Sequence, residues 1–292
     1  MSKFFEALEQ AARDRALRDQ AASPPVLGGP AMSVAPVAVA DVDPTFAEPP
    51  RTAAPAELIF NDTTRMDEHV VSLLDPASFE AEQYRVLRHV VETLRKSASL
   101  QVIAVTSPCV GDGKTTTAVN LAGALAQSTE NRVLLLDMDF RAPAVAAQLG
   151  LNGARRSLMD ALLGPRLSLE HTVEVLPRFS LSILPAGTSA VAPYELLRSP
   201  RLEALLQEAR ERYDYVVLDT PPFTPVPDGR LIAKYVDGFV IVVTAHRTPR
   251  GVLAETLDLM DPVKVVGLVF NGDGVRHSRY YNGSPGSRRG NR

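Results

Sequence analysis

The sequence predicts an α/β fold: a doubly wound, mostly parallel sheet with helices on both faces. Three observations predict it. From about residue 100 to 270, near-continuous Val/Ile/Leu runs alternate with segments of helical spacing, the pattern of strands covered on both faces. Between the first run and the next helix lies a glycine-bearing turn that ends Gly113-Lys114-Thr115. Two later runs, at Asp137 and Asp219, end in carboxylates, at the edge where open α/β sheets bind ligands.

Taken in order, the chain starts with Phe4, Phe5, Leu8, Ala11 and Ala12 on one helical face behind Ser2. This sets residues 1–20 as a helix that docks on a protein or packs on its own domain; the mixed charges Arg13, Asp14, Arg15, Arg18 and Asp19 argue against a membrane-surface helix. Residues 21–75 read as a linker, broken by Pro24, Pro25, Pro30, Pro36, Pro44, Pro49, Pro50 and Pro55. The main domain is expected over 76–274. It opens with a helix from Pro76 to Lys96, whose apolar face is Tyr84, Leu87, Val90, Val91 and Leu94. Glu82, Arg85 and Arg88 form a charged edge on it, in isolation a solvated face. Strands follow at Leu100–Val105, Arg132–Leu136, Leu181–Leu184, Tyr215–Leu218, Gly238–Val243 and Lys264–Phe270. Helices are expected at Pro143–Leu149, Tyr194–Arg212 with a break near Pro200, Asp228–Tyr235 and Arg250–Met260. Residues 275–292 form a basic, Gly/Ser-rich tail, expected to be disordered, that carries Tyr280 and Tyr281.

The chemistry concentrates at the glycine-bearing turn. A strand, a tight loop and a helix opening on Gly-Lys-Thr make a phosphate-binding loop, because unpaired N–H groups and the helix dipole both favour an anion there. Ser107, Val110, Gly111, Asp112, Gly113, Lys114, Thr115 and Thr116 would line the phosphates of ATP. Lys114 would reach the β- and γ-phosphates and Thr115 would hold Mg²⁺. The full eight-residue pattern asks for glycine where this chain has Pro108. Asp219 closes an apolar strand and is placed to hold the metal, directly or through water; a strand-ending turn is the plainer reading. Asp137 and Asp139, two residues apart, point to one side, where their repulsion calls for a cation. One would hold the waters of the metal while the other accepts a proton from a hydroxyl. Arg141 either clamps a phosphate or pairs with these acids.

These segments resemble a bacterial tyrosine kinase of the capsule and exopolysaccharide type, from about Phe79 to Asn271. The resemblance rests on Ser107–Thr115, on Asp137-x-Asp139-x-Arg141-x-Pro143, on Asp219-Thr220-Pro221-Pro222 and on Glu82-x-x-Arg85-x-x-Arg88. Pro185-Ala186-Gly187 and Pro193-Tyr194-Glu195-Leu196-Leu197 match as well, and the phenylalanine-bearing start is similar to the soluble members linked to exopolysaccharide or exosortase loci. It implies a ParA/MinD-like P-loop NTPase fold and ATP-dependent tyrosine autophosphorylation that regulates polymer length and export. It further implies that Asp137 activates the tyrosine hydroxyl, that Asp139 and Asp219 position the metal, and that Glu82, Arg85 and Arg88 assemble a ring. Asn271 resembles the adenine-contacting Asn of the superfamily, or is a capping Asn. Implied partners are a membrane chain-length determinant (polysaccharide co-polymerase) as activator and a cognate tyrosine phosphatase. Members usually end in several clustered tyrosines, and this tail has Tyr280 and Tyr281 alone, as acceptors or incidental residues.

Two other readings stay open. A ParA/MinD-type ATPase would carry a lysine at Cys109 and an apolar terminal helix, and this chain has neither. A nucleotide-gated scaffold of the export machinery with little kinase activity would fit the sparse tyrosines. Bulk numbers narrow the setting. A net charge of −3 over 292 residues argues against nucleic-acid binding, and the single cysteine leaves no disulfide framework or cysteine zinc site. No apolar run reaches the ~18 residues of a membrane span, so we expect a cytoplasmic protein held at the inner membrane through a partner. Cys109 is either a tolerated small residue or an oxidation point in the loop. No role is assigned to the histidines.

Overall fold

A computed structural model describes residues 66–272, apart from 152–155, 165–167, 189–191 and 225. The expected helix over 1–20, most of the linker, and the tail with Tyr280 and Tyr281 lie outside the described residues. Seven strands form one sheet: β1 (Val102–Thr106), β2 (Val133–Asp137), β3 (Glu174–Leu176), β4 (Leu181–Leu184), β5 (Tyr215–Asp219), β6 (Gly238–Thr244) and β7 (Val265–Asn271). Their order is β3-β4-β2-β5-β1-β6-β7, and every neighbouring pair is parallel except β3 and β4. The doubly wound, mostly parallel expectation holds.

Strands β1, β2 and β5 are buried along their whole length, which is why they read as unbroken apolar runs. Alternation along β1 sends Val102 and Ala104 into one core, with Leu134, Leu206 and Phe239, and Ile103 and Val105 into the other, with Leu121, Leu125 and Val217. The helix Lys114–Ala126 is buried almost throughout, because its alanines, threonines and Gly123 let neighbours approach on all sides. Burying Leu121 and Leu125 contributes about 2–3 kcal/mol each.

Helix Phe79–Ala98 starts on Ser78, whose side chain accepts the Ala81 N–H, and covers the phosphate-loop helix with Val91, Leu87 and Leu94. Val90, expected on that apolar face, is instead 41% exposed: it lies next to Val91 and so points away from the core. The linker was expected to run to residue 75, but Val70 and Leu73 are core residues and Val71–Leu74 is a helical turn. Leu73 packs over Gly123, where an added Cβ would sit 2.8 Å from Leu73 Cδ2. Asn120 fixes this strap: its Oδ1 accepts the Ser72 N–H at 2.8 Å and its Nδ2 donates to the His69 carbonyl at 2.8 Å.

The expected helix Pro143–Leu149 is a single turn, Val145–Gln148, and Asp228–Tyr235 is shortened to Asp228–Ile232. The helices Leu158–Leu163 and Leu169–Thr172 and the short antiparallel β3 were not anticipated.

Candidate active site

The carboxyl ends of β1, β2, β5, β6 and β7 gather the candidate residues on one rim. Gly111 and Gly113 sit at φ +80° and +92°, the left-handed region that lets the loop turn tightly into the helix. An added Cβ on Gly113 would collide with the Asn271 side-chain amide, which donates to the Asp112 carbonyl at 3.0 Å. Asn271 therefore touches the loop backbone from the end of β7. The Asp112 side chain turns inward: it accepts the Cys109 N–H at 3.0 Å and the Thr248 hydroxyl at 2.8 Å. It shapes the loop, as does Ser107, whose hydroxyl donates to the Cys109 carbonyl at 2.7 Å. Val110 at the loop tip is 77% exposed, and the Thr116 hydroxyl accepts from Gln148 Nε2 at 3.1 Å.

Lys114 Nζ donates to Asp139 Oδ2 at 2.6 Å, and the Thr115 hydroxyl donates to Asp219 Oδ2 at 2.7 Å. Asp139 Oδ1 takes the N–H groups of Arg141 and Ala142, so both its oxygens are engaged. Asp137 Oδ1 accepts the Asp139 N–H, and its Oδ2 accepts those of Ala144 and Val145. The sequence thus brings Lys114, Thr115, Asp137, Asp139 and Asp219 into one buried cluster. Its electrostatics are unbalanced. Burial lifts Asp219 to about 7, against the pull of the Lys114 ammonium. Burial also lifts Asp137 to about 6, opposed by its backbone donors. Burial alone would lower Lys114, but Asp219 and Asp139 hold it above its ordinary value.

Asp219 Oδ1 is buried without a hydrogen-bond partner, which in a native site calls for an ion or water. Among the described residues no group of three or more His, Cys, Asp or Glu is arranged to hold a metal. Magnesium, which keeps several waters and takes phosphate oxygens, needs only a hydroxyl and one or two carboxylates. The Thr115 hydroxyl and the free oxygen of Asp219 fit it.

Three neighbours escaped the sequence reading. The Arg141 side chain pairs not with Asp137 or Asp139 but with Asp228, in a two-pronged pair at 2.6 and 3.1 Å. Asp228 is fully buried, and the link ties the acidic loop to the helix that follows β5. Arg247 lies over Gly111, with Nη2 3.5 Å from the Val110 carbonyl, and Thr248 braces Asp112. Because β6 neighbours β1, residues just after β6 fall beside the loop, and only that strand pairing could have pointed to them. On the charged helix edge, Arg85 pairs with Glu82, while Arg88 bonds Glu92 at 2.7 Å and the Ala124 carbonyl at 3.0 Å.

Residues 100–249 match the AAA domain family. The chain is 32% identical over 223 residues to the tyrosine-protein kinase YwqD of Bacillus subtilis (strain 168), across 75% of this chain and 93% of that one. It is 34% identical over 202 residues to the succinoglycan biosynthesis transport protein ExoP of Rhizobium meliloti (strain 1021), where 67% of this chain spans only 25% of the relative. Among solved structures, the chimerical protein CapA2B2 is similar at a TM-score of 0.65 and 27% identity, over 71% of this chain and 91% of that one.

Proposed function

The chain belongs to the bacterial tyrosine-kinase family of ParA/MinD-like P-loop NTPases, and from that premise we propose that it transfers the γ-phosphoryl group of ATP to tyrosine hydroxyls, its own included. The observation that carries the reading is the meeting of Lys114, Thr115, Asp139 and Asp219 within two contacts of 2.6 and 2.7 Å on the strand-end rim. In this reading the loop N–H groups and Lys114 bind the triphosphate, so Lys114 exchanges part of its bond to Asp139 for phosphate oxygens. Thr115 and Asp219, with Asp139 beside them, would hold a magnesium ion, which when bound would supply charge neutralisation on the transferring phosphoryl group. Asp137 takes the phenolic proton; three N–H donors immobilise it, and burial sets it near 6, within the range of a base working close to neutral pH. Asp228 steadies Arg141 and with it the loop that carries both acids. Asn271 contacts the nucleotide base beside the loop.

The acceptors in this reading are Tyr280 and Tyr281, and the process served is capsular or exopolysaccharide polymerisation and export. Self-association runs through the edge of Glu82, Arg85 and Arg88 on helix Phe79–Ala98, where Val86 and Val90 stay exposed. No helix among the described residues is long and apolar enough to cross a membrane. We place the protein in the cytoplasm, brought to the inner membrane by a chain-length determinant that activates it and opposed by a tyrosine phosphatase. Its domain would then comprise residues 66–274, with the N-terminal helix over 1–20 as the docking element.

Incubation of the full chain with Mg²⁺ and γ-labelled ATP tests this. Wild type should gain alkali-stable label on tyrosine, Asp137→Ala should gain almost none, and the Tyr280→Phe/Tyr281→Phe variant should lose most of it. Phosphate release with no labelled protein would overturn the kinase reading.

A further inference from the structure

The described chain holds five tyrosines, and four of them are spent on packing. Tyr215 and Tyr235 are buried, and the Tyr235 hydroxyl donates to the Leu197 carbonyl at 3.1 Å. Tyr84 and Tyr213 are largely buried, with hydroxyls engaged by Thr117 and Asn120 and by Ser182 respectively. Tyr194 differs: it is 38% exposed, and it stands in the helical turn Pro193–Leu197, beyond the carboxyl end of β4. Strand β4 lies beside β2, whose last residue is Asp137, so the segment that leads to Tyr194 leaves the sheet at the same edge as the phosphate loop. The turn packs against the helix Asp228–Ile232, which carries the partner of Arg141.

The hydroxyl of Tyr194 is met by a cation. Arg198, one helical turn on, donates from Nη1 to the Tyr194 oxygen at 3.3 Å, and its guanidinium carbon lies 5.3 Å from the ring centre. An exposed phenol under a guanidinium contributes little to the core. The arrangement suits a group that acquires charge, because arginine binds a phosphate dianion through charge-assisted, two-pronged hydrogen bonds far better than a neutral hydroxyl.

We propose that Tyr194 is a phosphoacceptor within the folded domain, separate from the tail tyrosines; this rests on the kinase reading above. In the step, Tyr194 Oη bonds to the γ-phosphorus of ATP as the bond to the β,γ-bridging oxygen breaks. ADP leaves with that electron pair, and the phenolic proton passes to Asp137. Arg198 then pairs with the new phosphate and holds it against the turn.

Trypsin cleavage after Arg178 and Arg198 releases residues 179–198, in which Tyr194 is the single tyrosine. The full chain, the Tyr280→Phe/Tyr281→Phe variant and the same variant carrying Tyr194→Phe are incubated with Mg²⁺ and ATP, and phosphotyrosine is mapped by fragmentation mass spectrometry. The 179–198 peptide should carry phosphotyrosine in the first two proteins and none in the third, where residual label should fall to background. Phosphotyrosine on the tail with none on this peptide overturns the site and leaves the kinase reading standing. No phosphotyrosine anywhere, in protein whose thermal midpoint still rises with ATP, removes both.

Discussion

The two ends of the sheet use the same residue types to opposite effect. At the amino ends of the strands, Asp237 accepts the N–H groups of Gln101 and Val102 and pairs with Arg210 at 2.8 and 2.9 Å. Asp214 likewise joins Arg132 and Arg95. Burial pushes Asp237 up, but the Arg210 guanidinium and the backbone donors outweigh it, and Arg132 draws Asp214 down; both acids sit below their ordinary range. At the carboxyl ends, Asp137 and Asp219 are as deeply buried as any core residue, share Lys114, and sit far above that range. The lesson is that an acid paired with an arginine holds a fold together, and acids buried around one shared lysine wait for a ligand. Proteins tolerate the second kind only where something else completes it.

The largest expected effect breaks the rim. Asp219→Asn keeps the shape and removes one buried charge, so phosphoryl transfer should drop by on the order of a hundred- to a thousandfold. The urea midpoint at pH 8 without nucleotide should stay level or rise, because a destabilising charge has gone. At the other end, Asp237→Ala strands Arg210 and two backbone N–H groups. It should cost about 2–3 kcal/mol in urea denaturation and leave the labelling rate of the folded protein unchanged. Between the two lies Asp228→Asn, which weakens the clamp on Arg141. Labelling should fall about tenfold through misplacement of the acidic loop, with little change in the thermal midpoint.

The smallest effect is the sharpest in sign. A lowered carboxylate stabilises the fold above its unfolded value and loses that contribution as pH falls through its folded value. Acid destabilisation beginning near the ordinary carboxylate value of 3.8 should therefore be shallower in Asp237→Asn. A raised carboxylate does the reverse. The folded state binds more protons than the unfolded chain between 3.8 and about 7, so stability without metal and nucleotide should decline as pH rises across that window. Asp219→Asn should flatten this upper limb, as urea midpoints measured from pH 4 to 8 would register.

Much of the rim was legible because β1, β2 and β5 are apolar on both faces and stop at a loop or an acid, a pattern that neighbouring residues spell out. What the sequence withheld was long-range. Arg141 and Asp228 are 87 residues apart, and nothing local distinguishes that pairing from one with Asp137 or Asp139. The strap at Val71–Leu74 looked like linker because only its contact with Gly123 makes it core. Strand β3 has three residues and one neighbour, too short for alternation to speak. The helix Leu158–Leu163 did leave a signal, the Ser157–Asp160 capping box ahead of an apolar run.

The central claim is that the free oxygen of Asp219 completes a magnesium–triphosphate site with Thr115 and Lys114. ATP affinity, titrated with and without Mg²⁺ in wild type and in Asp219→Asn, tests it most directly. The account predicts that magnesium tightens ATP binding to wild type by tenfold or more and barely alters the variant. An equal magnesium effect in both proteins would contradict it.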